Sequence, residues 1–320
     1  MKPKKQSNNK RKGCDVMLHI KDLRSGIPIF KALSSEIRIE ILSLLTKNRS
    51  LNLNEIAQKL NLSNGAVTMH IKKLEESGII DVSTAVGKHG IKKICYLNED
   101  LLTVELQNSA TENYYEYEIK VGHYCDYLAE ATCGLATKDS IIGEFDDPRY
   151  FADPDHINAG IIWLTEGFLE YRIPNYLKAN QDFKEIQFIF EISSEAPYYN
   201  NNWPSDIVFS LNNKELGKWT SPGDFGGEKG ACTPEWWPPH LNQYGLLKLL
   251  RINEHGTFID GCRISNITVT DIPLDQNSDI KFRLAVADEG NIGGLTLYGK
   301  NFGNYHQDII ARIMYEVVGS

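Results

Sequence analysis

Apolar and polar residues follow two different periods along this chain, and the change falls near Asn98. From Ile29 to Leu45, the residues Leu33, Ile37, Ile41, Leu44 and Leu45 recur three or four positions apart, lining one face of a helix, with Ser34 placed as its N-cap. Asn52 followed three residues later by Glu55 is a capping-box pattern, and Ile56, Ala57 and Leu60 form the apolar face behind it. After Asn61-Leu62, Ser63 caps a third helix that turns Val67, Ile71 and Leu74 inward and ends at Ser77-Gly78. Ile79–Val82 and Ile91–Leu97 then read as two strands around the glycine-bounded tip Gly87-Lys88-His89-Gly90.

Beyond Asn98 the period falls to two. Ile186, Phe188, Phe190 and Ile192 alternate with polar residues; so do Ile280, Phe282, Leu284 and Val286, and Ile309, Ala311, Ile313, Tyr315 and Val317. Ile207–Leu211 runs into the turn pair Asn212-Asn213 ahead of Glu215–Trp219. Short alternating strands split by Gly, Pro, Asn and Asp predict an antiparallel β-sandwich or jelly roll. With no glycine-rich phosphate loop and no strand–helix alternation, a nucleotide-binding α/β domain is not expected.

Charge separates the same two parts. The chain has 320 residues and a net charge of −8, but residues 1–97 hold 18 Lys and Arg against 8 Asp and Glu, a net of +10. The remainder is left with 16 basic and 34 acidic residues, a net of −18. That asymmetry predicts a polyanionic partner for the first part alone, and nucleic acid is the obvious one. Six scattered cysteines without a C-x-x-C pair suit reduced thiols, and the basic, polar Met1–Lys12 is not a secretory signal, so a cytoplasmic protein is expected. No apolar run reaches the roughly 18 residues of a membrane span, so no membrane partner is expected.

A brace helix, a tight turn and a reader helix, followed by a two-stranded hairpin, are the parts of a winged helix-turn-helix. On the reader, Ser63, Asn64, Gly65, Thr68, Met69, Lys72 and Lys73 fall away from the apolar stripe; Asn64 and Thr68 suit base edges, and Lys72 or Lys73 suits phosphates. Lys88, His89 and Lys92 stand where a wing meets backbone or minor groove. Ala32-Leu33-Ser34-Ser35-Glu36-Ile37-Arg38-Ile39-Glu40-Ile41-Leu42 and the run Leu62–Gly78 together resemble the ArsR-type winged-helix regulators, over less than a quarter of the chain. The resemblance implies an operator of double-stranded DNA and a homodimer, for which Cys14–Leu33 is a candidate dimer helix. The metal-sensing members of that family carry a cysteine pair on the brace helix; Leu53–Leu60 has no cysteine, so no metal site is expected there. Met69 replaces the arginine of many relatives, which makes this contact weaker or apolar.

The predicted organisation is therefore multidomain α+β. A basic flexible tail (1–13) precedes a winged helix-turn-helix (14–97), a connector (98–113) and an all-β antiparallel sandwich (114–320) for effector binding or dimerisation. The second part is similar in pattern to galactose-binding-like jelly rolls, which implies a carbohydrate-binding module. Its loops interleave aromatics with polar residues: Tyr198, Tyr199, Trp203 and Asp206 in one, Asp224 among glycines in another, and Glu235, Trp236 and Trp237 in a third. Flat aromatics beside carboxylates suit a saccharide effector, whereas Trp163 and Trp219 are expected in the core. A carbohydrate-active enzyme remains an alternative through Asp224 and Glu235, and so does a sandwich serving only oligomerisation. No nucleophile elbow or metalloprotease motif is present, so a non-enzyme without cofactor is expected. Asp146, Asp147, Asp153 and Asp155 lack EF-hand spacing and read as a solvated loop before a calcium site.

Overall fold

A computed structural model describes residues 17–20, 23–48, 50–87, 90–98, 101–104, 113–274 and 278–318. The chain separates into two compact units, Met1–Ala110 and Thr111–Ser320.

The first unit carries α1 (Ile27–Leu33), α2 (Glu36–Asn48), α3 (Leu53–Leu60) and α4 (Asn64–Glu76). Its strands are β1 (Met17–Ile20), β2 (Ser50–Asn52), β3 (Ile80–Gly87), β4 (Gly90–Leu97) and β5 (Leu101–Val104). The apolar stripe expected to make one helix across Ile29–Leu45 is broken at Ser34-Ser35. Ser34 is not an N-cap but closes α1, its hydroxyl donating to the Lys31 carbonyl at 2.8 Å. The buried Arg38 secures the same end, donating from Nε to the Ala32 carbonyl at 2.5 Å and from Nη2 to the Lys31 carbonyl at 2.7 Å. Those carbonyls have no intrahelical partner, so a buried guanidinium is satisfied where α1 ends. The Cys14–Leu33 segment, expected as one helix, is helical only over α1; its described residues ahead of α1 include β1, paired in parallel with β5 from the expected connector. Ile41, Leu45, Ile56, Val67, Ile71 and Leu74 centre a separate core.

The second unit contains β6 (Asn113–Ile119), β7 (Tyr124–Ala136), β8 (Ile161–Ile173), β9 (Gln181–Ser193), β10 (Ser205–Leu211) and β11 (Lys214–Ser221). β12 (Leu246–Asn253), β13 (Gly256–Ile259), β14 (Cys262–Ser265), β15 (Ile280–Val286), β16 (Leu295–Tyr298) and β17 (Ile309–Val317) complete it. All of its strand pairings are antiparallel. β11, β10, β15, β8 and β7 form one layer; β6, β17, β9, β12, β13 and β14 form the other; β16 bridges β8 and β9. The layers close on an aromatic core in which Phe188 of β9 stacks on Phe282 of β15, ring centroids 3.9 Å apart. The alternating runs lie in β9, β10, β15 and β17. β8 escaped that pattern because Ile161-Ile162-Trp163-Leu164 is buried on both faces.

Candidate functional site

Local chemistry fixes the helix-turn-helix. Asn52 Oδ1 accepts from the amides of Asn54 and Glu55 at 3.0 and 3.1 Å, while Glu55 Oε2 accepts from the Asn52 amide at 2.7 Å, so α3 begins on a complete capping box. It ends at Asn61, whose φ of 54° and ψ of 44° are the left-handed values that asparagine tolerates better than most residues. Two residues on, Ser63 Oγ accepts from the Ala66 amide at 3.3 Å and starts α4.

α4 buries Val67, Ile71 and Leu74. Asn64, Gly65, Thr68, Met69, Lys72 and Lys73 are all exposed on the rest of its surface, as is Ser63 ahead of it. The Thr68 hydroxyl donates to the Asn64 carbonyl at 2.7 Å, which leaves its lone pairs facing out. Lys72 makes only a solvent-exposed pair with Glu76, 3.7 Å away. In the hairpin, β3 and β4 pair from Ile80–Leu97 to Gly87–Gly90, and β2 adds to β4 to make a three-stranded sheet. Lys92 is exposed on β4. Lys88 and His89 lie outside the described residues.

A braced reader helix and an antiparallel wing define a winged helix-turn-helix DNA-binding protein. Residues 34–81 match the family described as winged helix-turn-helix DNA-binding. An uncharacterised protein of Methanocaldococcus jannaschii is 38% identical over 64 residues, 20% of this chain and 70% of its own length. The chain belongs, through its first unit, to that winged helix-turn-helix family. The HTH-type transcriptional regulator LrpA of Pyrococcus horikoshii is 28% identical over 127 residues, 40% of this chain and 73% of that protein. Among solved structures, HlyU from Vibrio cholerae is 25% identical, with 23% of this chain and 76% of that chain covered at a TM-score of 0.20.

In the second unit the aromatic loops divide. Asn200 and Asp224 exchange backbone hydrogen bonds of 3.1 and 2.9 Å, and the Trp203 amide donates to the Pro222 carbonyl at 3.1 Å, so the loops around Tyr198 and Asp224 form one body. Tyr198 is 69% exposed with its ring centroid 5.8 Å from that of His240, and Trp203 is 37% exposed. Tyr199 is half-buried over Gly226, where a Cβ would stand 2.4 Å from its ring. Trp236 is also exposed, but its indole N–H donates to the Lys138 carbonyl at 2.6 Å, on a different loop. Glu235 projects into solvent and pairs with Lys229 at 2.5 Å.

Three of the expected ligand residues are spent on the fold. Trp237 is buried, donates to the Asn242 carbonyl at 2.7 Å, and packs with Trp163, Tyr298 and Phe302. Asp206 is buried, and hydrogen bonds from Lys218 at 2.8 Å and Thr220 at 2.6 Å hold its carboxyl well below the usual range. Asp224 is fully buried; burial pushes it up to about 8. It accepts from the Ala196 amide at 3.1 Å, with Ser193 Oγ 3.4 Å away. Its neighbour Glu195, which no sequence pattern marks, accepts from Thr296 at 2.9 Å and Asn242 at 3.2 Å. Burial, reinforced by the Asp224 charge, raises Glu195 well above the carboxylate range. Trp219 packs half-buried against the core with Lys248 Nζ 4.7 Å from its ring centroid. The four aspartates from Asp146 to Asp155 act locally. Asp146 accepts from the Cys133 amide, Asp147 and Asp153 cap short 3₁₀ turns, and Asp155 accepts from Asn158. No metal-holding group of three or more acidic, His or Cys residues occurs among the described residues. Nor is any described helix long and apolar enough to cross a membrane.

Proposed function

We propose that the protein regulates transcription in the cytoplasm by binding operator DNA as a homodimer, and that its second unit senses a small effector, a saccharide. The observation that carries the DNA reading is the outward face of α4, uncharged at its tip and lysine-bearing behind, on a segment of net charge +10. Asn64 and Thr68 read base edges, Met69, 55% exposed, meets a thymine methyl, and Lys72, Lys73 and Lys92 neutralise phosphates. Lys88 and His89 extend the wing contact, and Ser63 and Gly65 bring the helix N-terminus to the backbone. The effector reading is supported by the exposed aromatics of the second unit, Tyr198, Trp203 and Trp236. Effector and operator affinities are then linked reciprocally.

Gly65 provides the cleanest test. A Cβ there meets nothing within 4 Å, so Gly65→Ala folds at least as well as the parent. In contact with DNA the added methyl occupies space the duplex needs. Fluorescence anisotropy on duplexes from the promoter of its own gene should show Gly65→Ala and Asn64→Ala binding at least about tenfold more weakly, at an unchanged melting temperature. Unchanged affinity in both variants removes α4 as the reader.

A further inference from the structure

A polar recess of the second unit lies away from the aromatic loops around Tyr198. It is a cavity of about 490 Å³ where the turn after β6, the β7–β8 loop and the β16–β17 loop meet. That volume lies within the range of small-molecule sites. Lys120, Lys138 and Lys300 line it together with Asp139, Asp155 and Asp308, and the Ala159-Gly160 backbone contributes to its wall.

Several of these groups are fixed in place. Asp308 is buried and accepts from the Val121 amide at 3.2 Å. Lys300 is held to Glu118 at 2.5 Å, and Asp155 accepts from Asn158 at 2.7 Å. Gly160 and Gly299 are joined by a 2.8 Å backbone hydrogen bond, and a Cβ on Gly299 would stand 2.5 Å from Asp308 Oδ1, so the backbone approaches the carboxylate closely. Lys120 and Lys138, exposed residues of the lining, make no ion pair among the described residues. By contrast, the recess beside Asn212 and Pro273 has the Asn212 side chain engaged: its amide donates to the Pro273 carbonyl and its oxygen accepts from the Lys281 amide.

We propose that this cavity is the effector seat and takes a neutral, polyhydroxylated ligand of about monosaccharide size. Three ammonium groups stand among three lining carboxyls, with Glu118 behind Lys300, so the two signs are nearly matched and the lining favours neither strongly, while the surrounding segment of net charge −18 repels anions. A hydroxyl both donates and accepts, which matches alternating lysines and aspartates better than an apolar ligand or a simple ion does. Trp236, exposed and donating to the carbonyl of the lining residue Lys138, is the aromatic tied to this recess. This assignment rests on the sensor reading above and names its site and ligand class.

The test is calorimetric titration of the full chain with D-glucose, D-galactose and myo-inositol, with glucuronate and glucosamine as charged controls. It is repeated with Lys138→Ala, Asn158→Ala and Trp203→Ala, and operator affinity is measured with and without each sugar. The expected result is saturable heat with a neutral probe, weakened at least about tenfold by Lys138→Ala and Asn158→Ala but not by Trp203→Ala. Both cavity positions are exposed, so these variants keep the parent melting temperature. Heat abolished only by Trp203→Ala overturns the seat and leaves the sensor reading standing. Tighter binding of glucuronate or glucosamine overturns the ligand class, and no heat with any neutral probe overturns the proposal. Cavity-dependent heat without a change in operator affinity upholds the seat and removes the sensor.

Discussion

At the scale of single residues, Asp224 gives the sharpest forecast. Its carboxyl is raised by burial to about 8 in the folded protein, against about 3.9 in an unfolded chain. The folded state therefore binds the extra proton between those values, so stability falls as pH rises from about 4 to about 8 and then levels off. Protonated Asp224 can donate to Ser193 Oγ, whose own proton goes to the Ser194 carbonyl at 2.8 Å, so the neutral acid fits its surroundings. An amide fits as well. Asp224→Asn should flatten the decline in melting temperature between pH 5 and pH 8, leaving a remainder from Glu195, which is shifted the same way. All five tryptophans lie in the second unit, so their fluorescence follows this transition alone; an equally steep decline in the variant refutes the assignment. Residue type was readable here and environment was not. Asp206, Asp224 and Trp237 stand in the same polar, aromatic runs as Trp203 and Trp236, yet burial claims the first three. Adjacent Trp236 and Trp237 sit on one turn with opposite exposures, and only the long-range packing of Trp163 and Phe302 decides which goes inside.

Elements were legible where their signals are local. The capping box at Asn52 and Glu55, the Ser63 cap and the glycine after Ser77 name the ends of α3 and α4, because each works through atoms a few residues apart. Gly78 takes a φ of 78°, as a helix stop requires. The break between α1 and α2 was hidden because its cause, Arg38 reaching the Lys31 and Ala32 carbonyls, lies beyond the break and inside the next helix. β8 and β16 were hidden for a different reason: strands buried on both faces lose the alternation that announces a strand. The candidate effector cavity was equally illegible, since three distant loops build it. What does follow at this scale is the cost of opening the small aromatic cluster behind those loops. Trp237→Ala removes a side chain packed against Trp163, Tyr298 and Phe302 and frees the Asn242 carbonyl. A loss of about 3–5 kcal/mol in the second unit is expected from urea titration followed by the remaining tryptophans. A loss below about 1 kcal/mol would mean the cluster is not part of that unit's cooperative core.

For the whole molecule, charge and symmetry can be read from one salt titration. Taken to Ala110, the first unit has 18 basic and 11 acidic residues, leaving the second with 16 and 31, so the units still differ in sign. At physiological salt, charges screen one another beyond about 8 Å, so lysines in direct contact with phosphates dominate the salt dependence. Lys72, Lys73, Lys92 and Lys93 are the exposed lysines that α4 and β4 offer in the described residues. If each meets one phosphate, a single protomer neutralises four charges and a homodimer eight. The slope of log affinity against log salt is then about −7 for the dimer and about −4 for one protomer, at roughly 0.9 per phosphate. Lys72→Ala sharpens the distinction, because a dimer loses two contacts and a monomer one. Its slope should shrink by about 2 if two reader helices engage one operator, and by about 1 if each acts alone. The Glu76 partner changes this little, since an exposed pair of this kind contributes only a few tenths of a kcal/mol. A slope that Lys72→Ala leaves untouched removes Lys72 from the phosphate contacts and leaves them to the other lysines of the basic unit.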